Sequence, residues 1–240
     1  MTRIRRHRLD ESVLTIQTSR REVRPMEEPD LHGAWRVHGT RPLYESRWLS
    51  LDLADVELPS GERFEHHTVR MPAAAVAVVF DPAGENVLLT WRHRFVPGVW
   101  NYELPGGIVE DREDPATAIR REILEETGHE VGDVTLVTTF EPMIGMVTSP
   151  HHVFVARDAR RVAEPVERDE GTFEWVPVAE LRGLIASDRV RNSGTLVGLL
   201  AVLSDLWVAS WHSLEPPAQS FGVRVWRRCS RFSWRTDPPR

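Results

Sequence analysis

Glu122, Glu125 and Glu126 lie within five residues of one another and carry the clearest chemistry in this chain. Glu122 and Glu126 are i,i+4 neighbours, and like charges at that spacing weaken a helix by roughly 0.2–0.5 kcal/mol per pair. At the edge of a core, partial desolvation enlarges the repulsion. Something positive should therefore sit beside them. Oxygen donors alone suit a hard cation such as Mg²⁺, with Mn²⁺ a possible substitute, and such an ion shares its shell with substrate phosphates. The plain alternative is a solvated acidic helix face. The surrounding pattern weighs against it. Gly107, Glu113, Arg121, Glu122, Glu125, Glu126 and Gly128 stand at fixed spacings, and with background frequencies of roughly 6% each a chance match is of order one in a hundred million.

These residues need a helix and a sheet to hold them. Asp114 can cap the helix, Pro115 suits its first position, and Gly128 can close it in the left-handed conformation. Ala116, Ile119 and Ile123 form its apolar stripe, with Glu122 and Glu126 on one flank. Upstream, residues 73–80 read as a strand buried on both faces. Residues 87–91 form another, which runs into Arg92-His93-Arg94. Arg92 and Arg94 share a strand face by period two. Two guanidinium groups aimed at one place match a diphosphate; the alternative is that one or both are solvated. Residues 35–71 are strand-like, read as a strand over 44–56, a turn at 58–61 and a strand over 63–69. Beyond the helix, strands are expected over 134–140, 152–156 and 172–176, then a short helix over 177–186 and a longer one over 193–207.

The glycine-to-glycine pattern has the spacing of the Nudix box, and the chain resembles the Nudix hydrolases, nearest to those acting on ADP-ribose and other nucleotide sugars. His129 departs from the box, which ends with an apolar residue after its last glycine. The resemblance implies an α/β (α+β) fold: a Nudix-type α/β/α sandwich with a mixed sheet, preceded by a small N-terminal antiparallel β unit. It implies Mg²⁺ held by Glu122 and Glu126, with Glu125 a further or water-bridged ligand and the Gly106 carbonyl completing the shell. Arg121 would hold the carboxylates in place, and Glu113 is the box-loop glutamate. Arg94 would grip phosphate, and Glu103 would orient that arginine or touch substrate. Trp48 could stack on a base. A downstream carboxylate, Glu170 first and Glu167 second, would serve as ligand or general base. Residues 141–146 resemble a substrate-choosing loop, without the adjacent Pro-Gly pair often found there. The expected reaction is hydrolysis of a nucleoside diphosphate sugar, foremost ADP-ribose to AMP and ribose 5-phosphate. GDP-mannose, or binding without catalysis, are the alternatives. A homodimer is implied in the same way.

Composition bounds the rest. With 240 residues and 41% hydrophobic content a sizeable core is possible. The net charge of −6 argues against nucleic acid as main partner. A single cysteine, Cys229, rules out a disulfide framework within the chain and points to the cytoplasm. No apolar run reaches the roughly 20 residues needed to span a bilayer. All thirty basic residues are arginine, a bias that reflects coding composition more than function. The expected organisation is an arm over 1–30, the β unit over 31–72, the hydrolase domain over 73–210 and an Arg- and Trp-rich tail over 211–240.

Overall fold

The protein is seen in a computed structural model whose described residues are 33–166 and 171–204. The expected arm and the whole of the expected tail, Cys229 included, lie outside them.

Three strands come first: β1 (Arg36–Glu45), β2 (Ser50–Glu57) and β3 (Arg63–Arg70). β1 and β2 are antiparallel, as are β2 and β3. The single strand expected over 44–56 is in fact broken. Ser46 accepts the backbone N–H groups of Trp48 and Leu49 through its hydroxyl, at 3.2 and 3.3 Å, and this turn folds β1 back on β2. Hydroxyl capping of this kind interrupts a strand whatever the hydrophobicity around it.

The central elements are β4 (Ala74–Val79), β5 (Asn86–Arg94), β6 (Val99–Glu103) and β7 (Gly106–Ile108), then the helix α1 (Pro115–Thr127) and β8 (His129–Glu130). There follow β9 (Val134–Phe140), β10 (Val147–Thr148), β11 (His151–Ala156), β12 (Arg160–Arg161) and β13 (Thr172–Pro177). A 3-10 turn (Val178–Glu180), α2 (Leu181–Ala186) and α3 (Ser193–Leu203) complete the described chain. The part of the last expected helix beyond residue 204 lies outside the described residues.

A mixed sheet in the order β7-β4-β11-β9 forms the middle layer, with β4 and β11 parallel. Period two divides β4 between two cores. Ala75, Ala77 and Val79 meet Ile119 and Ile123 of α1, while Val78 meets Leu181 of α2 and Leu199 and Val202 of α3. Full burial of a side chain the size of Ile119 stabilises by about 1.5–3 kcal/mol. An antiparallel sheet β13-β5-β6 packs alongside. β10 lies parallel to β3 and so ties the N-terminal strands to the segment after β9. The expected α/β/α sandwich with an antiparallel unit ahead of it is therefore observed. Among the described residues no helix is long and apolar enough to cross a membrane.

Candidate active site

The helix α1 begins and ends as its residues dictate. Asp114 accepts the N–H groups of Ala116 and Thr117 at 3.0 and 3.1 Å, Pro115 follows, and Gly128 closes the helix at φ 71°. A Cβ at Gly128 would also stand 2.1 Å from the Ala163 carbonyl oxygen. These stops fix which residues face inward. Glu126 lies on the buried stripe itself, following Ile119 by seven residues and Ile123 by three, and is 3% exposed.

β5 and β6 pair with Arg92 opposite Asn101 and Thr90 opposite Glu103. Arg92, Arg94, Asn101 and Glu103 therefore share the sheet face turned towards α1. Arg94 clamps Glu103, with Nε 3.0 Å from Oε1 and Nη2 2.6 Å from Oε2. Asn101, only 2% exposed, donates to Glu103 Oε1 at 3.1 Å. Arg92 lies deeper, at 4% exposure. Its Nη1 is 3.3 Å from Glu126 Oε1 and 3.9 Å from Glu103 Oε2. Of the two arginines expected to aim at a diphosphate, Arg92 is the one enclosed by protein, beside Glu126 and Glu103. A guanidinium in the interior needs carboxylates around it, and Arg92 joins the helix to the sheet through Glu126 and Glu103. Arg94 keeps 47% of its side chain exposed.

The glycine turn meets the helix from the other side. The Gly106 N–H donates to Glu126 Oε2 at 2.8 Å. The Glu122 carboxylate fills the space that a side chain at Gly107 would take, within 2.5 Å of an ideal Cβ there. Arg121 reaches Glu113 at 2.9 Å, Glu122 at 2.9 Å and Glu125 at 3.1 Å, and donates to the Ile108 carbonyl at 3.2 Å. The hydrogen bond from Arg121 holds the Glu113 carboxyl below the usual carboxylate range, and Glu113 in turn holds the guanidinium firmly protonated.

Among the described residues no three His, Cys, Asp or Glu side chains are gathered closely enough to hold a metal ion. Glu122 and Glu125 turn to Arg121, and Glu126 to Arg92 and the Gly106 N–H. The donor chemistry nevertheless fits a hard divalent cation, because the carboxylates of Glu122 and Glu126 flank one glycine turn. Trp48 is not brought to this cluster. It is exposed at the β1–β2 turn, with the Arg47 guanidinium 4.2 Å from its ring. Glu167 and Glu170 lie outside the described residues.

Asn101 was not singled out from the sequence, although period two from Glu103 would have placed it on this face. Leu104 N–H donates to Thr195 Oγ1 at 3.0 Å, so α3 steadies the segment leading into the glycine turn. Arg94 and Glu103 open on a cleft of about 380 Å³, walled by the β5–β6 turn and the residues just ahead of α3.

His129 takes the apolar box position by being buried. Its ring stands edge-on to Trp175 at 5.6 Å, and Nδ1 lies 3.0 Å from the Thr127 carbonyl oxygen. Burial holds its pKa below the ordinary 6.5, against the raising effect of the Thr127 hydrogen bond. The unfolded chain then binds more protons than the folded one as pH falls through 6.5, so stability present above that pH is lost below it. His151, also held down by burial, adds in the same direction. His129→Leu is expected to flatten part of the fall in melting temperature between pH 7.5 and 5.5. An unaltered pH slope in that variant would assign the titration elsewhere.

A box helix beside a glycine turn, under a mixed sheet, defines the class. Residues 69–195 match the NUDIX domain, and residues 35–72 match the nucleoside diphosphate sugar hydrolase N-terminal domain. The chain belongs to the Nudix family and is a pyrophosphohydrolase of its nucleotide-sugar and ADP-ribose type. It is 48% identical over 170 residues to a CMP-5'-(N-acetyl-N-hydroxy-3-aminopropyl)phosphonate hydrolase of Streptomyces rubellomurinus, covering 70% of this chain and 82% of that one. It is 28% identical over 131 residues to an ADP-ribose pyrophosphatase of Bacillus subtilis, covering 55% and 70%. In fold it is similar to a crystal structure of an ADP compounds hydrolase, with a TM-score of 0.63 and 16% identity over 75% of this chain and 97% of that one. Nudix hydrolases generally use divalent metal ions.

Proposed function

We propose that the protein hydrolyses the phosphorus anhydride of a nucleoside diphosphate conjugate with Mg²⁺ as cofactor, ADP-ribose being the leading substrate and AMP and ribose 5-phosphate its products. The observation that carries this reading is the pair of carboxylates, Glu122 and Glu126, set on either side of Gly106 and Gly107. These two, with Glu125 and the Gly106 carbonyl, would hold the cation. Bound there, a divalent cation supplies charge neutralisation at the anhydride oxygens and a more acidic water. Arg121 holds Glu122 and Glu125 in preset positions. Arg92 does the same for Glu126 from within the core. Arg94, half exposed at the cleft, would present N–H groups to phosphate oxygens while Glu103 fixes its plane.

A homodimer belongs to the same reading. β1 is an edge strand, exposed throughout, and it carries Val37, Leu43 and Tyr44 on its surface with Trp35 just before it. An apolar edge of this kind favours a second copy over solvent.

A second substrate reading is favoured by the 48% identity to a hydrolase named for a CMP-linked phosphonate. Both readings are tested by one panel of ADP-ribose, GDP-mannose and a cytidylyl phosphonate, with the phosphomonoester read after phosphatase treatment. ADP-ribose turnover that stops with chelator and returns with Mg²⁺ or Mn²⁺ is the expected result. Turnover of the cytidylyl compound alone would transfer the assignment to the second reading. Cleavage of none of them would end both.

A further inference from the structure

The cleft beside Arg94 has walls rich in hydrogen-bond donors. Arg191 engages Asp188 through Nη2 and the Asp188 carbonyl through Nε at 3.4 Å. Asn192 spends its side-chain oxygen on capping α3, accepting the Thr195 N–H at 2.9 Å. His93 packs its ring on Trp100 at 5.5 Å. Among the described residues nothing accepts a hydrogen bond from Arg191 Nη1, from Asn192 Nδ2 or from the His93 ring, yet all three residues line the cleft. The acidic group on the wall is already taken. Both oxygens of Glu103 accept from Arg94, and one also accepts from Asn101. Donors open to a ligand beside an occupied carboxylate select a ligand that brings acceptors, and an anionic acceptor above all.

The cleft is also correctly placed to continue a substrate. Arg94 and Glu103 form one of its walls, and Arg92 links Glu103 to Glu126 at the glycine turn. A conjugate whose anhydride lies at that turn, and whose phosphate meets Arg94, would extend its non-nucleotide arm towards Arg191 and Asn192. The exposed side chains of Phe95 and Val96 edge the same opening and would cover the apolar part of such an arm.

We propose that this cleft is a subsite for a carboxylate-bearing arm of a nucleoside diphosphate conjugate, with Arg191 as the residue that selects it. The proposal rests on the anhydride-hydrolase reading of the glycine turn and narrows it, since a plain sugar brings no charged acceptor to Arg191 Nη1, the edge of the guanidinium that Asp188 does not engage. A site built to bond a charged group discriminates strongly against an analogue that lacks it.

UDP-glucuronate and UDP-glucose differ in the arm by a carboxylate against a hydroxymethyl group, and they serve as probes. Calorimetry on the full chain in chelator, where nothing is hydrolysed, should show UDP-glucuronate binding roughly tenfold more tightly than UDP-glucose. Arg191→Gln should bring the two within about twofold of each other, while Arg191→Lys, which keeps the charge, should retain most of the preference. Equal binding of the two by the unaltered protein, binding of neither, or a preference that survives Arg191→Gln would each overturn the subsite. Hydrolysis is followed separately with Mg²⁺. A carboxylate preference that Arg191→Gln abolishes, in a protein that cleaves no anhydride, would sink the hydrolase reading and leave the subsite standing.

Discussion

Glu126→Gln is expected to lower metal-dependent turnover at least about a hundredfold, the scale of losing a ligand to the catalytic ion. The substitution is nearly isosteric, so the loss isolates the charge. Its structural cost follows from donors on both carboxylate oxygens of Glu126, the Gly106 N–H on Oε2 and Arg92 Nη1 on Oε1. An amide has a single acceptor oxygen. One of those donors would face an NH₂ group and remain unpaired, which costs about 1–3 kcal/mol. The variant should therefore melt earlier but keep its circular dichroism spectrum at 25 °C. Turnover equal to that of the unaltered protein would remove Glu126 from the site.

The second large effect comes from the glycine turn, where adjacent positions should fail in different ways. At Gly107 an added Cβ would meet the Glu122 carboxyl carbon at 2.4 Å and its oxygens at 2.5 Å. That carboxylate is the far end of a flexible side chain and can swing aside. Gly107→Ala should consequently fold with little loss of stability, and lose activity by about a hundredfold because Glu122 is displaced by an ångström or more. At Gly106 the Cβ would meet the Ala75 carbonyl oxygen at 2.2 Å and Val76 Cα at 2.7 Å, from a backbone at φ +155°. Backbone of the central sheet cannot give way in that manner. Gly106→Ala should destabilise the chain by at least about 3 kcal/mol. Thermal melts and steady-state kinetics on the pair separate the two outcomes. An active Gly107→Ala enzyme would show that Glu122 needs no space at the turn.

What could be read from the sequence divides by the range of the forces involved. The ends of α1 are set within a few residues, by Asp114, Pro115 and Gly128, and the spacing alone located them. The valine-rich β4 was equally plain, because a strand buried on both faces has few other ways to hide its side chains. The tie between Arg92 and Glu126 spans 34 positions, and no periodicity within either segment contains it. The sequence therefore offers Arg92 to a phosphate, and its contact with the helix is seen only in the fold. The β1–β2 turn escaped for a different reason. Ser46 makes it through one hydroxyl, among residues whose hydrophobic pattern continues through the bend. His129 shows a third case. An imidazole in an apolar box position reads as a defect until the edge of Trp175, from β13, is seen to receive it.

The parallel contact between β10 and β3 has a consequence for how such enzymes diversify. Val69 and Met71 each give a backbone N–H to the segment after β9, at Met146 and Thr148, and His66 Nε2 lies 3.0 Å from the Gly145 carbonyl oxygen. The opening strands thus act as a splint for that segment, although the two lie some eighty residues apart in sequence. Exchanging them for those of a relative would transplant half of a seam whose other half stays behind. Mutational change on the two sides of this seam is free only where it preserves the fit across it.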